Sequence, residues 1–207
     1  ALKRQGHTDE ALSEFLISVK QQKKNHDARF ELSLLQIEKG LFKEATKSIK
    51  EGLKRTKEKD ARFFYSQGQL AIAQDDIQGA MVQFTRARGV DPTNPLYVRG
   101  LGDVYEAQKV WGLAITNYRQ ALAMQPDSPD AALTYQRIGQ LHFNARQWNQ
   151  SYASYRKATE LDPNLKEAWY QQGFIQYVAE RYPLVVQPLE NFVALDQTNA
   201  EAYFMLA

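Results

Sequence analysis

The sequence contains no cysteine, which removes disulfide bonds and thiolate zinc sites from consideration and leaves the redox compartment open. It has no apolar run approaching the roughly 18 residues that a membrane-spanning helix needs. Its three histidines, His7, His26 and His142, are scattered. They lack metal-ligand spacing, and none has a carboxylate four residues on along the same helical face. The glycines stand singly, so there is no glycine-rich loop to cradle a phosphate. Serine, histidine and aspartate all occur, but no spacing assembles them into a nucleophilic site. Neither catalysis nor a bound metal or cofactor is expected. An excess of basic charge is missing too: 26 Lys and Arg against 24 Asp and Glu leave a net +2, too little to argue for nucleic acid. No signal peptide is visible, and the chain opens on Ala1-Leu2-Lys3-Arg4 rather than on methionine.

What is present is the composition of a folded chain, 43% hydrophobic and 24% charged, and a repeat. Gly68, Ala80, Phe84, Ala87 and Pro92 recur 34 residues later as Gly102, Ala114, Tyr118, Ala121 and Pro126. Two helices of about 14 residues, each about 20 Å long, plus two short turns consume such a period. A fixed period of this kind marks stacked helical pairs, each needing its neighbours to bury its apolar face.

Taken in order, Asp9 is expected to cap a helix carrying Ala11, Leu12, Phe15, Leu16 and Val19, a three-and-four spacing on one face. A second helix is expected over Asp27 to Lys39, stopped by Gly40, where a left-handed turn costs glycine little. A third follows through Ala45, Ile49 and Leu53. Asp60 reads as the N-cap of a helix with Phe63, Phe64 and Gly68, whose mate runs from about Ile77 to Val90. Asn94-Pro95 is a cap followed by proline in the first turn. The next pair is displaced by 37 residues, seen in Gly102 to Gly139 and Pro126 to Pro163. Ser128-Pro129-Asp130 marks the insertion and predicts a helix nearly one turn longer at its N-terminus. Pro183 and Pro188 predict a second helix that is kinked or interrupted in the following pair, and Asn199 caps a last helix. The repeats fall at 1–25 (partial), 26–60, 61–94, 95–131, 132–165, 166–199 and 200–207 (partial), a single array expected to be cut from a longer protein.

Leu101, Gly102, Tyr105, Ala114, Tyr118, Ala121 and Pro126 resemble the signature of the tetratricopeptide repeat family. Phe64, Gly68, Ala80, Phe84, Ala87 and Pro92 keep most of it, with Gln67 in the leucine place. The pair ending at Pro163 has His142 for an aromatic and Ser151 for an alanine. His142 is expected to be a satisfied core histidine. The resemblance covers essentially the whole chain. It implies an all-α fold, a right-handed superhelical solenoid of antiparallel helix pairs, and a non-catalytic role in binding other proteins.

The family lines a concave groove with the second, fifth, ninth and twelfth places of the first helices. Carried over, these include Phe30, Leu34, Ile37, Tyr65, Gln69, Ile72, Arg99, Asp103 and Glu106. They continue with Gln136, Gln140, Phe143, Tyr170, Phe174, Tyr177 and Phe204. The candidate partner-binding residues are Tyr65, Gln69, Arg99, Asp103, Gln136, Gln140, Phe143, Tyr170, Phe174 and Tyr177, with most weight on the last three. Aromatics and amides on a curved surface suit an extended peptide or an amphipathic helix. Some family members clamp a C-terminal carboxylate with lysine and asparagine, which are absent at these places here. Arg99 and Asp103, four apart, read as a local salt bridge. Lys20, Lys23, Lys24, Lys54, Arg55, Lys57 and Lys59 fall at helix ends, where cations suit the dipole. No aromatics interleave them to stack bases. The leading expectation is a scaffold that holds a protein or peptide partner and helps assemble a complex. It needs no nucleic acid and no membrane insertion within this segment. The alternatives are a non-catalytic arm of a transferase or peptidase, or self-association. As a soluble domain it fits the cytoplasm or the periplasm equally.

Overall fold

Three-and-four spaced apolar residues, punctuated by Asn, Asp and Pro, give helix after helix. In the computed structural model, which describes residues 8–207, they are α1 (Thr8–Gln21), α2 (His26–Glu38), α3 (Phe42–Thr56), α4 (Ala61–Ala73), α5 (Ile77–Val90) and α6 (Pro95–Ala107). They continue as α7 (Trp111–Met124), α8 (Ala131–Asn144), α9 (Trp148–Leu161), α10 (Lys166–Val178), α11 (Val186–Leu195) and α12 (Ala200–Leu206). The described residues contain no strand. Contacts group the chain into two compact units, one ending at Val110 and one beginning at Trp111.

The N-caps follow from local chemistry. Asp60 accepts from Arg62 N at 3.1 Å, Asn94 from Leu96 N at 3.0 Å ahead of Pro95, and Asn199 from Ala202 N at 3.0 Å. Each satisfies an amide that the first helical turn leaves without a partner. Asp9 departs from expectation. It lies inside the first turn of α1, which begins at Thr8, so its charge suits the helix dipole without capping.

The turn inside each pair is built the same way. Gly40 N donates to Ile37 O and Leu41 N to Gln36 O, a three- and a five-residue closure. The same two bonds recur at Asp75 and Asp76, Lys109 and Val110, Arg146 and Gln147, and Glu180 and Arg181. This is a Schellman motif, which demands a left-handed residue at its corner. Gly40, Asp75, Lys109, Arg146 and Glu180 all have positive φ, between 56° and 70°. Only the first is a glycine.

In the unit ending at Val110 the core is aromatic. Phe63, Phe84 and Tyr97 are wholly buried, and Phe30, Phe64 and Tyr65 nearly so. The Phe84 ring is held between two glycines: a Cβ on Gly68 would lie 2.4 Å from it, and one on Gly100 2.8 Å. Close approach therefore explains both glycines, one from each successive first helix. Ser33 and Ser66 meet inside the same unit, their hydroxyls 2.9 Å apart.

In the unit from Trp111, Tyr155, Ala158, Ala168 and Ile175 form one cluster, and Val185, Leu189, Phe192, Ala202 and Met205 another. Gly139 faces Tyr155 as Gly68 faces Phe84, while Gly173 faces Leu189, its Cβ position 2.4 Å from that side chain. His142 is a core histidine. Its Nε2 lies 3.3 Å from an Arg119 nitrogen that can only donate, so Nδ1 donates to Gln147 Oε1 at 2.6 Å.

One expectation about this unit is corrected and another is made specific. The three added residues do not lengthen α8, which has 14 residues against 13 in α6. They form a separate turn, with Ala131 N donating to Ser128 O at 2.9 Å. The residue before a proline is disfavoured in helical conformation, so Ser128 stops the helix from reaching back. The expected break in the second helix of the following pair is present, as an interruption rather than a kink. The chain makes a 3₁₀ turn over Tyr182–Leu184, and α11 starts at Val186, placing Pro188 in its first turn. There its missing N–H leaves nothing unpaired, at the cost of a helix of 10 residues where α9 has 14.

Candidate functional site

The first helices deliver their candidate residues to very different surroundings. Tyr65 is a core residue and is corrected as such. Its ring lies 5.5 Å from Phe84, 6.0 Å from Tyr97 and 6.5 Å from Phe30, leaving it 5% exposed. One aromatic ring from each of α2, α5 and α6 thus packs beside it. Gln69, Arg99 and Asp103 are half-buried on α4 and α6, and neither Arg99 nor Asp103 is without a partner. Gln136 on α8 is half-buried, with Oε1 enclosed and unpartnered. Gln140 is exposed but committed: it donates to Asn144 Oδ1 and accepts from the Tyr155 hydroxyl, both at 3.0 Å.

Phe143, Tyr170, Phe174 and Tyr177 are brought together in the unit from Trp111. Phe143 and Phe174 lie 6.1 Å apart, and Phe174 stacks on Tyr170 at 6.2 Å with rings 18° from parallel. Tyr170 continues to Phe192 at 5.2 Å. Burial, reinforced by the nearby Glu201 carboxylate, pushes the Tyr170 phenol up to about 12, so it stays a neutral hydroxyl. Tyr177 meets Tyr182 edge-on at 5.9 Å, and these two, with Val186, Phe204 and Met205, line a hollow of about 490 Å³.

The larger cavity opens where the loops between α8 and α9 and after α10 come side by side. It measures about 710 Å³, within the range of ligand-sized clefts. Phe143, Trp148 and Phe174 form its aromatic wall, Ile175 and Val178 add aliphatic surface, and Arg146 and Arg181 stand at its edge. Trp148 meets Phe143 edge to face at 5.0 Å yet remains 44% exposed. No acidic residue lines the cleft. An apolar side chain thus finds three aromatic faces there, and an anion two guanidinium groups. Trp148 and the two arginines escaped a reading confined to first-helix positions, because they come from the turns and from the start of a second helix. The aromatic two places after four of the five Schellman corners, Phe42, Trp111, Trp148 and Tyr182, was the available signal.

Among the described residues no three His, Cys, Asp or Glu side chains are grouped to hold a metal, and no helix is long and apolar enough to cross a membrane.

Sequence models of the tetratricopeptide repeat match residues 65–129 and 132–165. A Drosophila melanogaster protein described as a DNA polymerase interacting tetratricopeptide repeat-containing protein of 47 kDa is 24% identical over 106 residues. That match takes in 51% of this chain and 27% of the relative. Among solved structures, one from the APC/C hetero-tetramer Cut9-Hcn1 is similar with a TM-score of 0.80 at 15% identity. It covers 99% of this chain and 40% of the other. Pseudomonas aeruginosa pilF is similar with a TM-score of 0.77 at 16% identity, over 96% of this chain and 82% of that one. The chain thus spans about a quarter of the curated relative and less than half of the Cut9-Hcn1 chain. At these identities the structural likeness is one of fold.

Proposed function

Because the chain belongs to the tetratricopeptide repeat family, whose repeats generally serve as non-catalytic scaffolds for protein interaction, we propose that it captures a partner segment and helps assemble a multiprotein complex. The observation that carries this is the cleft of Phe143, Trp148 and Phe174 with Arg146 and Arg181 at its edge. The segment that fits is an extended peptide or one helical face, presenting an apolar anchor beside an acidic residue. Central aromatics in a partly desolvated pocket supply most of the affinity in such contacts, and the arginines add orientation and salt-sensitive attraction. Gln140, Tyr170 and Tyr177 extend the contact along α8 and α10. Gln69, Arg99, Asp103 and Gln136 are secondary contacts, and Tyr65 serves the fold. Two of the similar proteins carry names that state association with other proteins, a DNA polymerase in one case and a hetero-tetramer in the other, which supports a protein as the partner class.

The test is selection of binding peptides from a display library, followed by affinity measurement on variants. Trp148→Ala removes an exposed ring and leaves the helices in place. The expected result is enrichment of peptides with an aromatic or aliphatic residue near Asp or Glu, and a loss of at least about tenfold with Trp148→Ala. Peptides that bind Trp148→Ala and Arg181→Ala as well as the native chain would place the site elsewhere.

A further inference from the structure

Another hollow, in the unit ending at Val110, has a different chemistry. It measures about 580 Å³, with α2 as its floor and α1 and α3 as its walls. Three polar side chains, each more than nine-tenths buried, reach it: Arg29 at 7%, Gln36 at 4% and Ser48 at 8% exposure. Arg29 Nε and Gln36 Oε1 are enclosed and have no hydrogen-bond partner. The helical register accounts for the placement. On α2, Arg29, Leu32 and Gln36 share one face, while Phe30, Leu34 and Ile37 share another and serve the aromatic core.

An enclosed guanidinium N–H and an enclosed amide oxygen without partners beside one cavity are costly unless something completes them. Burial, with the charge of Arg55 adding to it and Glu51 opposing, holds Arg29 below its ordinary range. Glu51 is committed to Arg55 at 2.5 Å. Lys20, Lys23 and Lys47 stand on the walls, and Glu44 is the remaining acid. Setting Glu44 against one of the four other cations leaves three positive charges with no carboxylate in the hollow. Read from the sequence alone, Lys20 and Lys23 are solvated helix ends. The buried Arg29 beneath them adds a convergent site.

We propose that this hollow is an oxyanion site that takes a phosphoryl group. A phosphate monoester brings nearly two negative charges and three acceptor oxygens, whereas a carboxylate brings one charge and two oxygens. The guanidinium fork of Arg29 meets a phosphate through paired N–H groups. The Gln36 amide, turned about its last bond, presents its NH₂ to the same space, and the Ser48 hydroxyl adds a donor from α3. The lysines supply attraction at the mouth.

Inorganic phosphate titrated into the 207-residue chain at constant ionic strength is expected to raise the thermal midpoint saturably, as a ligand of the folded state does. Lys47→Glu, a change of an exposed rim residue, is expected to weaken that response at least about tenfold. Arg29→Met is expected to abolish it while leaving the phosphate-free midpoint unchanged or higher, since a desolvated cation with an unpartnered N–H is removed. Should Arg29→Met fail to fold, Lys47→Glu carries the test alone. Sedimentation with phosphatidylcholine vesicles containing phosphatidylinositol 4-phosphate separates the sources. Binding above that to phosphatidylcholine alone, lost with Lys47→Glu, assigns the group to a lipid; a response to inorganic phosphate without vesicle binding assigns it to a soluble or protein-borne phosphate. A midpoint rise matched by chloride, or one kept by both variants, or no response in either arm, overturns the proposal.

Discussion

The hydroxyl of Ser66 donates to that of Ser33 across 2.9 Å, deep in the unit that ends at Val110. Ser33 also lies 2.7 Å from the Phe30 carbonyl oxygen. A carbonyl can only accept, so the single proton of Ser33 goes there, and Ser66 supplies the proton between the two serines. Both side chains are fully buried, which makes the relay an all-or-none arrangement.

Ser33→Ala is therefore expected to strand the Ser66 hydroxyl and cost about 1–3 kcal/mol. Ser33→Ala with Ser66→Ala removes both groups and is expected to cost less than the two single changes added together. Urea unfolding of the four proteins measures the coupling; strict additivity would mean that the two hydroxyls do not depend on each other.

Glycines give a second pair of expectations with opposite signs. Gly68→Ala places a methyl 2.4 Å from the Phe84 ring, which Gly100 blocks from behind. Overpacking of about 1–3 kcal/mol is then expected to outweigh the helix-propensity gain of about 1 kcal/mol. Gly89→Ala meets nothing within 4 Å and is expected to stabilise by about 0.5–1 kcal/mol. Thermal midpoints moving in the same direction for both would contradict this packing.

The left-handed turns supply a third. Lys109 holds φ at 59°, a conformation that a β-carbon disfavours by about 1–2 kcal/mol. Lys109→Gly is expected to be neutral or stabilising by up to about 1 kcal/mol once glycine's unfolded-state freedom is counted. Lys109→Val, branched at that carbon, is expected to lower the midpoint clearly. Equal midpoints for glycine and valine would mean that the turn relaxes out of the left-handed region.

A pH prediction follows from Lys166 and Asp196. Lys166 Nζ donates to Asp196 Oδ2 at 2.7 Å, and Thr198 donates to Oδ1 from its amide and its hydroxyl. The lysine bond leads in holding the Asp196 carboxyl well below the usual carboxylate range, with Thr198 next. A carboxyl depressed on folding stabilises the fold above its unfolded pKa, and that contribution is lost as pH falls through the folded value. The contact is thus expected to persist at about pH 4, near the ordinary carboxylate value, and to fade only in stronger acid. Carbon-13 titration of Asp196 checks this directly. Lys166→Met is expected to raise its titration part of the way, since Thr198 stays. A native Asp196 titrating at the ordinary value would refute the contact.

The contrast between legible and hidden features has a physical source. Asp60, Asn94 and Asn199 could be read as caps because a side chain and an amide two or three residues away settle the matter locally. The repeat could be read because Gly68, Phe84 and their counterparts answer the same packing need each time. Tyr65 and Tyr170 fall in comparable first-helix positions, yet one is enclosed by Phe30, Phe84 and Tyr97 and the other belongs to a half-buried aromatic row. Residue type at one place does not carry that difference; the neighbours across the pair do. Ser128-Pro129-Asp130 announced an insertion correctly, but whether it lengthened a helix or added a turn depended on the backbone preference of the residue before the proline. The Schellman corners at Asp75, Lys109, Arg146 and Glu180 left no signature, because two backbone hydrogen bonds impose the conformation whatever the side chain.

That indifference has an evolutionary consequence. Each helical pair offers, at its corner, one position whose backbone is dictated from outside and whose side chain projects into water or into a neighbouring cleft, as Arg146 does. Charge and polarity can drift at such a position with little penalty to folding, provided the side chain is not branched at its β-carbon. On the proposed reading of the Trp148 cleft, a replacement at residue 146, beside the retained Arg181, would retune the charge of the segments it accepts. Partner choice would change faster than architecture, and chains sharing this fold would be expected to diverge first at their corners.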